Sequence, residues 1–312
     1  MSFSIDIQAQ FNFKRIRITN NATQVYIDII SKGGLLNSWT QSPEKQGWDI
    51  IDGNSFENGW EGFESTGFKS GKMNPFSCRL QHGQYQHEDK QYTIDKYYLG
   101  DHAIHGIVYD ANFEISSTNI ENNKASVTLQ YDCHNQDKGY PFKYSVQLHW
   151  TFLEQNKITV QTIITNQDTV SFPMMDGWHP YFKLGNSVND CTIQLTNKGV
   201  LEYDDALIPT GNILPHTAFE NPKNLAGIEL DNGYVLDMNN PSCSLENEDY
   251  KLVVTPIANY PYLQLYTPPS RKSIAIENLS GAPDCFNNKM GLHIMQPHSV
   301  WILETSFQLF YK

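Results

Sequence analysis

The fold class of this chain is decided by the segment Phe142–Phe152, FKYSVQLHWTF, in which apolar side chains alternate strictly with polar ones. Alternation with a period of two is typical of a β-strand that buries one face. Ile158–Ile164 repeats the pattern, and Glu154–Lys157 between the two segments predicts a hairpin turn. Ser126–Cys133 also alternates. These segments therefore predict three antiparallel neighbours in one sheet.

The same pattern recurs along the chain, and convincing amphipathic helices are nearly absent. The other strand candidates are Arg15–Ile18, Gln24–Ile30, Tyr92–Tyr98, Tyr262–Tyr266, Ser273–Ile276 and Val300–Phe310. No fixed-period repeat, low-complexity tract or interdomain linker interrupts them. We therefore expect an all-β protein with two large antiparallel sheets packed face to face, forming one domain over residues 1–312.

Composition limits the class of partner. The 312 residues include 22 Lys and Arg against 34 Asp and Glu, so the formal net charge is −12, and only 18% of the residues are charged. Such a balance disfavours binding to nucleic acid or to an anionic membrane. A neutral or cationic small molecule is the easier partner to accommodate.

The cysteines and the termini indicate the compartment. Five cysteines are widely spaced, without a CxxC pair or a zinc-ligand spacing: Cys78, Cys133, Cys191, Cys243 and Cys285. This spacing predicts neither a disulfide framework nor a structural zinc site. The first ten residues lack a basic start and an apolar run, and no later apolar segment is long enough to span a bilayer. We expect a soluble cytoplasmic protein.

The motif Asp176–Phe182, DGWHPYF, places one titratable imidazole, His179, among aromatic side chains. Pro180 biases His179 towards extended geometry, and Gly177 allows the backbone to turn. Trp178 and Tyr181 could form a sugar-stacking surface or a hydrophobic corner. From these residues alone, a structural histidine and a working histidine are equally supported.

Other polar residues stand in unusual places. His102 and His105 lie three apart in DHAIHG, a spacing that on a helix would suggest metal ligands, but no third ligand is evident. Glu277 follows the apolar strand candidate and should close it, although burying a carboxylate is costly unless it is paired or used. Arg79 is one of only four arginines, and Asp231 is expected in a short turn.

The order of these segments resembles the aldose 1-epimerase (galactose mutarotase) family over nearly the whole chain. The matching pieces are Gly33–Leu36, Arg79 after Asn74-Pro75-Phe76, His105-Gly106, Gly177–Phe182, Pro209-Thr210-Gly211, Asp231, and Glu277 with Pro283, Asp284 and Asn287. The resemblance implies a β-supersandwich with an open sugar-binding cleft. It implies no metal and no organic cofactor.

The resemblance also implies a role for each candidate residue. Opening a hemiacetal ring removes the proton of the C1 hydroxyl and adds one to the ring oxygen, so a base and an acid must flank the sugar. Glu277 would be the base and His179 the acid, kept protonated by the carboxylate. His105 would bind the oxygen where charge develops. The sugar would be fixed by Arg79, Asp231, Trp178 and Tyr181.

Several alternatives stay open at this point. The first histidine lies in AIHGIVY, a sequence context less typical of the family, so His102 could share the role of His105. A hexose-6-phosphate epimerase should gather cations around the phosphate, and the candidates are Arg79 and Arg271, with Lys72, Lys183 and Lys289 as substitutes. A carbohydrate-binding protein without catalysis is the third reading. The sugar, its anomer and the oligomeric state are not determined by the sequence.

Overall fold

A computed structural model of the protein describes residues 2–42, 44, 47–57, 59 and 67–312. In chain order the first strands are β1 (Phe3–Gln10), β2 (Phe13–Asn20), β3 (Val25–Ile30), β4 (Leu35–Thr40), β5 (Lys72–Met73), β6 (Arg79–Leu80), β7 (Gln84–His87), β8 (Lys90–Thr93), β9 (Tyr98–Leu99) and β10 (His102–Ile104). The next strands are β11 (Glu114–Ile120), β12 (Lys124–Cys133), β13 (Tyr144–Leu153), β14 (Lys157–Asn166), β15 (Phe172–Met174), β16 (Gly177–Trp178), β17 (Tyr181–Phe182), β18 (Thr192–Leu195) and β19 (Asn197–Tyr203). The last are β20 (Pro209–Leu214), β21 (Lys223–Asn224), β22 (Asp231–Leu236), β23 (Cys243–Glu246), β24 (Tyr250–Ala258), β25 (Tyr262–Tyr266), β26 (Ile274–Leu279), β27 (His293–Met295) and β28 (Val300–Tyr311).

Helices are short in the described part of the chain. The α-helix α1 spans Cys285–Asn288, and 3₁₀ turns cover Gln81–Gly83 and Val188–Asp190. None of these helices has the length and apolar character needed to cross a membrane.

The strands form two large sheets and several smaller ones. A nine-stranded sheet has the order β11-β12-β13-β14-β28-β24-β23-β18-β21. An eight-stranded sheet has the order β20-β19-β22-β25-β26-β16-β5, with β17 also paired to β26. Strands β1 to β4 form a further antiparallel sheet in sequence order. The small sheets are β6-β10-β9, β15-β27 and β7-β8.

The main core lies between the sheets. Phe307 of the nine-stranded sheet packs on Phe182 of the eight-stranded sheet, with ring centroids 5.5 Å apart. On the other side, Phe152 contacts Phe3 of the four-stranded sheet at 5.7 Å. The prediction of an all-β fold with large antiparallel sheets is confirmed. The four-stranded sheet is an additional layer that the sequence did not predict.

The alternating segments form strands where they are predicted. β12, β13 and β14 are antiparallel neighbours, and the turn between β13 and β14 occupies residues 154–156. Buried and half-buried positions alternate along β14 without exception, although Thr162 and Asn166 are polar residues at buried positions. The period-two pattern therefore identified both the strands and their pairing.

Three local predictions were wrong. Tyr92–Tyr98 is not one strand, because the Asp137 carboxylate accepts the backbone N–H groups of Asp95 and Lys96 and interrupts the ladder. Glu277 does not close its strand, since β26 continues two residues further with every residue buried. Asp231 is not in a turn; it begins β22 and pairs with Tyr266 of β25.

Candidate active site

A cleft with a volume of about 290 Å³ opens over one face of the eight-stranded sheet. The described residues that line it are Gly67, Phe68, Cys78, Arg79, Tyr97, Leu99, Ile104, His105, His179, Tyr181, Tyr203, Leu207, Asp231, Gln264, Tyr266, Glu277 and Pro283. The cleft combines aromatic walls with a few convergent polar groups, which is typical of a small-molecule site.

Strand register places the polar groups on one face. Glu277 of β26 pairs directly with Gln264 of β25, and Tyr266 of the same strand pairs with Asp231 of β22. Because side chains two apart on a strand share a face, these residues point to the same side of the sheet. Sheet pairing thus gathers groups that are up to 46 residues apart in the sequence.

His179 reaches this face through a tightly packed segment. Its backbone N–H donates to the Gly71 carbonyl at 3.1 Å, and its own carbonyl accepts from Ser70 at 2.9 Å. Gly177, two residues earlier, lies between neighbouring strands, where an added Cβ would meet Ser77 Oγ at 2.5 Å. The glycine therefore permits close packing of strands, whereas the sequence had suggested a turn. The His179 ring stacks on Tyr181, with centroids 4.9 Å apart.

His105 enters the cleft from a different segment, held in the left-handed region at φ 60°. Its backbone N–H donates to the Cys78 carbonyl at 3.0 Å. The next residue, Gly106, approaches Asn74 so closely that a Cβ would lie 2.2 Å from the Asn74 carbonyl oxygen. Only glycine fits there. The His105 ring meets the His179 ring edge-on at 4.9 Å.

Glu277 and His179 form a buried pair at the floor of the cleft. His179 Nε2 lies 3.5 Å from Glu277 Oε1, and both side chains are almost completely buried. Burial lowers the pKa of His179 to about 4. Burial also raises the pKa of Glu277 well above its usual value, and the negative charge of Asp231 adds to this shift. Burial therefore disfavours the carboxylate of Glu277 and the imidazolium of His179 alike.

The directions of these two shifts run against the expectation that the carboxylate keeps His179 protonated. The sequence argument used attraction between opposite charges, which favours an ion pair. Complete burial penalises both charges together, and here desolvation outweighs the attraction. A neutral imidazole beside a carboxylic acid and an imidazolium beside a carboxylate hold the same number of protons, one for the pair.

Arg79 supplies the positive charge of the cleft. It lies on β6, opposite Ile104 of β10. Burial, the neighbouring His179 and the Arg79 charge lower the pKa of His105 well below its usual value, in that order of importance. His105 is therefore neutral at pH 7 and can both donate and accept hydrogen bonds.

Asp231 is oriented by a relay of two side chains. Gln264 Nε2 donates to Asp231 Oδ1 at 2.8 Å, and the Tyr203 hydroxyl donates to Gln264 Oε1 at 2.9 Å. The relay fixes the amide orientation. Burial raises the pKa of Asp231, and the hydrogen bond from Gln264 opposes that shift.

The structure brings together five of the sequence-predicted residues and Tyr181 as a sixth, but it places Trp178 elsewhere. Trp178 lies on the opposite face of the sheet, 98% buried, where it packs on Trp150 and under the ammonium group of Lys72. The expectation that it lines the cleft is wrong, since alternation along β16 turns it away from the face of His179. His102 also lies outside, where its Nδ1 accepts from the His82 backbone.

Sequence reasoning missed Gln264, Tyr203 and Cys78. Cys78 lines the cleft and its Sγ lies 3.9 Å from Glu277 Oε2. Gln264 did carry a signal, because a polar side chain stands between Leu263 and Leu265 in a strand with a buried centre. Tyr203 and Cys78 gave no signal, since their positions depend on pairing between distant strands.

Three of the other four cations named for a phosphate form contacts elsewhere, and the fourth, Lys183, does not line the cleft. Lys72 is buried in an ion pair with Asp176. Arg271 donates to the carbonyls of Leu225 and Ile228, and Lys289 donates to the Phe286 carbonyl of α1. Among the described residues, Arg79 is the one Lys or Arg that lines the cleft. No group of three or more His, Cys, Asp or Glu side chains that could hold a metal ion occurs in the described ranges.

Comparison with known proteins agrees with this architecture. Residues 14–308 match the family described as Aldose 1-epimerase. The chain belongs to the aldose 1-epimerase family. This membership was expected from the resemblance, and the match includes every described residue that lines the cleft.

Solved structures of this family share the fold at low identity. A galactose mutarotase-like protein from Clostridium acetobutylicum is 18% identical with a TM-score of 0.85, covering 100% of this chain and 99% of its own. A galactose 1-epimerase from Lactobacillus acidophilus is 18% identical with a TM-score of 0.82, covering 99% and 98%. An aldose epimerase homologue from C. elegans is 19% identical with a TM-score of 0.79, covering 92% and 96%. A search of curated proteins found no significant match.

Proposed function

We propose that this protein is an aldose 1-epimerase that interconverts the α and β anomers of a free hexose. The single observation that carries the proposal is the Glu277–His179 pair, 3.5 Å apart at the floor of a cleft of about 290 Å³. Ring opening needs one group that takes the C1 hydroxyl proton and another that gives a proton to the ring oxygen. The pair carries one proton and two basic atoms, which meets both needs.

The proton must move within the pair before ring opening. Burial favours a protonated Glu277 and a neutral His179 in the free site, whereas the proposed roles are Glu277 as base and His179 as acid. A C1 hydroxyl that donates to Glu277 favours the carboxylate, and a ring oxygen that accepts from His179 favours the imidazolium. The bound sugar thus supports transfer of the proton from Glu277 to His179 across the pair.

Each bond change then has a group that serves it. Glu277 accepts the proton of the C1 hydroxyl, the bond between C1 and the ring oxygen breaks, and His179 Nε2 donates its proton to that oxygen. Rotation about C1–C2 exposes the other face of the aldehyde. Closure reverses both transfers, so Glu277 and His179 each return to the protonation state that they had before ring opening.

The remaining polar groups hold the sugar. His105, which is neutral, would hydrogen-bond the oxygen where negative charge develops. Arg79 and Asp231 would bind sugar hydroxyls, with Gln264 holding the carboxylate of Asp231 in place. Tyr181 stacks on His179 and would limit the movement of the acid during the reaction.

A free sugar fits the cleft better than a phosphorylated one. A phosphate carries up to two negative charges and is usually bound by several cations or by backbone N–H groups. The described lining offers Arg79 against two carboxyl groups, Asp231 and Glu277. This charge balance favours a neutral substrate.

The proposal is tested by polarimetry on freshly dissolved α-D-glucose and α-D-galactose, alongside glucose 6-phosphate. We expect acceleration for a free hexose, and a loss of about 10²–10⁴-fold in Glu277→Gln or His179→Asn. Activity confined to the phosphorylated sugar would contradict the assignment of a free substrate. Tight sugar binding without acceleration would support a carbohydrate-binding protein and refute the catalytic proposal.

A further inference from the structure

A network of buried polar groups lies directly behind the cleft, on the interior face of the eight-stranded sheet. Its centre is the carboxylate of Asp176, which accepts a hydrogen bond from Lys72 Nζ. The same carboxylate accepts from the Tyr260 hydroxyl at 2.7 Å and from Asn74 Nδ2 at 3.0 Å. Lys72 also donates to Thr162 Oγ1 of the nine-stranded sheet at 3.0 Å. Lys72, Asn74 and Asp176 have no exposed surface.

Asp176 connects the segments that carry the acid–base pair. It lies three residues before His179. Its backbone N–H donates to Ser280 Oγ at 2.8 Å, and its carbonyl accepts from the Ser280 N–H at 2.9 Å. Ser280 follows Glu277 by three residues. One residue therefore anchors the chain on both sides of the pair.

Asn74 and Lys72 extend the network to the remaining parts of the site. The Asn74 carbonyl accepts from the Ile107 N–H at 2.8 Å, and Asn74 bridges Gly106, which directly follows His105. Lys72 pairs in register with Trp178, the neighbour of His179, and its ammonium lies 4.1 Å from the centre of the indole ring. All three candidate catalytic segments thus meet one buried ion pair.

Stability alone does not account for such a pair. Moving two charges from water into the protein interior carries a large desolvation penalty. Apolar side chains of similar volume at the same positions are often as stabilising as a buried ion pair, or more so. Burial lowers the pKa of Lys72 to about 8, although the charge of Asp176 opposes the shift. What charged hydrogen bonds add is direction, because each fixes the distance and angle between two groups.

We propose that Lys72 and Asp176 are positioning residues, which hold the segments of His179, His105 and Glu277 at the spacing needed for proton transfer. The proposal rests on the proposed function, since it assigns these three side chains to catalysis. Neither Lys72 nor Asp176 reaches the cleft, so each would act through the backbone segments that it joins. A misplacement of the pair by about 1 Å can cost about 10²-fold in rate.

The test compares two double variants that remove both charges together, so that no unpaired charge is left buried. Lys72→Met with Asp176→Leu also removes every hydrogen bond of the carboxylate. Lys72→Met with Asp176→Asn keeps an oxygen and an amide at the same position. We expect the first variant to lose at least tenfold in kcat, with KM changed less than threefold, and the second to recover part of the loss.

A matched control removes an ion pair that lies far from the cleft. Arg17 and Asp28 pair across β2 and β3 of the four-stranded sheet, with nitrogen–oxygen distances of 2.7 Å. Arg17→Met with Asp28→Leu should leave kcat within twofold of the unmodified protein. A comparable loss in this control would show a general effect of destabilisation and would overturn the proposal.

A second readout needs no substrate. Imidazole signals of the free protein are followed by NMR and assigned with His179→Asn and His105→Asn. We expect both ring signals to move in the leucine double variant, whereas an unfolded fraction would leave the signals of folded molecules in place. If that variant does not fold, the asparagine double variant carries the test, with a smaller shift and a kcat loss of at least threefold expected.

The outcomes separate the two proposals. Unchanged ring signals and unchanged kcat in a folded double variant would overturn the positioning role while leaving the epimerase proposal intact. If the unmodified protein accelerates no sugar, the proposed function fails. In that case the positioning role is tested by the NMR signals of His179 and His105 alone. Unchanged signals in the folded leucine double variant would overturn that role.

Discussion

Replacing Glu277 by Gln should stabilise the protein while abolishing its proposed activity. Burial raises the pKa of Glu277 well above 4.5, so the folded protein keeps this proton at a pH where the unfolded chain has lost it. The folded state then binds more protons than the unfolded state. Stability must therefore fall as the pH rises above 4.5, until the pH reaches the raised pKa.

The magnitude follows from proton linkage. A difference of one bound proton changes the free energy of unfolding by about 1.4 kcal/mol per pH unit. Glutamine has nearly the same shape and does not titrate, so the variant lacks this dependence. The titration of His179, whose pKa is lowered to about 4, occurs in both proteins and drops out of the difference.

The assay is urea unfolding of the unmodified protein and of Glu277→Gln at pH 5, 6 and 7, with linear extrapolation to water. We expect the variant to gain stability relative to the unmodified protein as the pH rises from 5, by up to about 1.4 kcal/mol per pH unit, with the gain levelling off once the pH passes the raised pKa of Glu277. Glu304→Gln, which makes the same substitution on β28 of the nine-stranded sheet, controls for the exchange of a glutamate for a glutamine outside the cleft. Glu304 contacts Gln161 and does not line the cleft.

Two results would refute the reasoning. A flat difference between pH 5 and 7 would mean that Glu277 titrates alike in both states. A difference of the opposite sign, with the unmodified protein gaining stability as the pH rises, would mean that the folded protein binds fewer protons at Glu277 than the unfolded chain. The pKa of Glu277 would then be lowered in the folded state.

Two further predictions concern single side chains. Because burial lowers the pKa of His179 to about 4, kcat/KM should stay constant from pH 7 to about 5. It should fall only near pH 4, where the pair takes up a second proton. A decline centred near 6.5, the ordinary pKa of histidine, would contradict this. Trp178→Phe should lower the free energy of unfolding, measured by urea unfolding, by about 1–2 kcal/mol through loss of the contact between the indole ring and Lys72. Steady-state kinetics should show a KM for the sugar within twofold of the unmodified protein. A tenfold rise in KM would mean that Trp178 contacts the sugar.

Much of the fold could be predicted from period-two alternation. Segments such as Phe142–Phe152 and Ile158–Ile164 must bury one face, and their pairing follows from a short turn. The interruption between β8 and β9 could not be read in this way. It depends on Asp137, some forty residues away in the sequence. The Asp137 carboxylate accepts hydrogen bonds from the backbone N–H groups of Asp95 and Lys96.

The site residues that could be predicted from the sequence are those whose side-chain chemistry is unusual for their position. His179 and Glu277 stood out because a titratable group in an apolar segment needs a partner. Gln264 and Tyr203 did not, since their importance comes from the register between distant strands. The directions of the pKa shifts of His179 and Glu277 also needed the structure, because they follow from burial and not from residue type alone.

The most direct test of the central claim is exchange NMR on an equilibrium mixture of α and β anomers of galactose or glucose at pH 7. It measures interconversion itself, without coupling enzymes. The account predicts fast exchange with the unmodified protein and a rate lower by about 10²–10⁴-fold with Glu277→Gln. Equal exchange rates for the two proteins would contradict the claim that Glu277 and His179 share the proton that opens the ring.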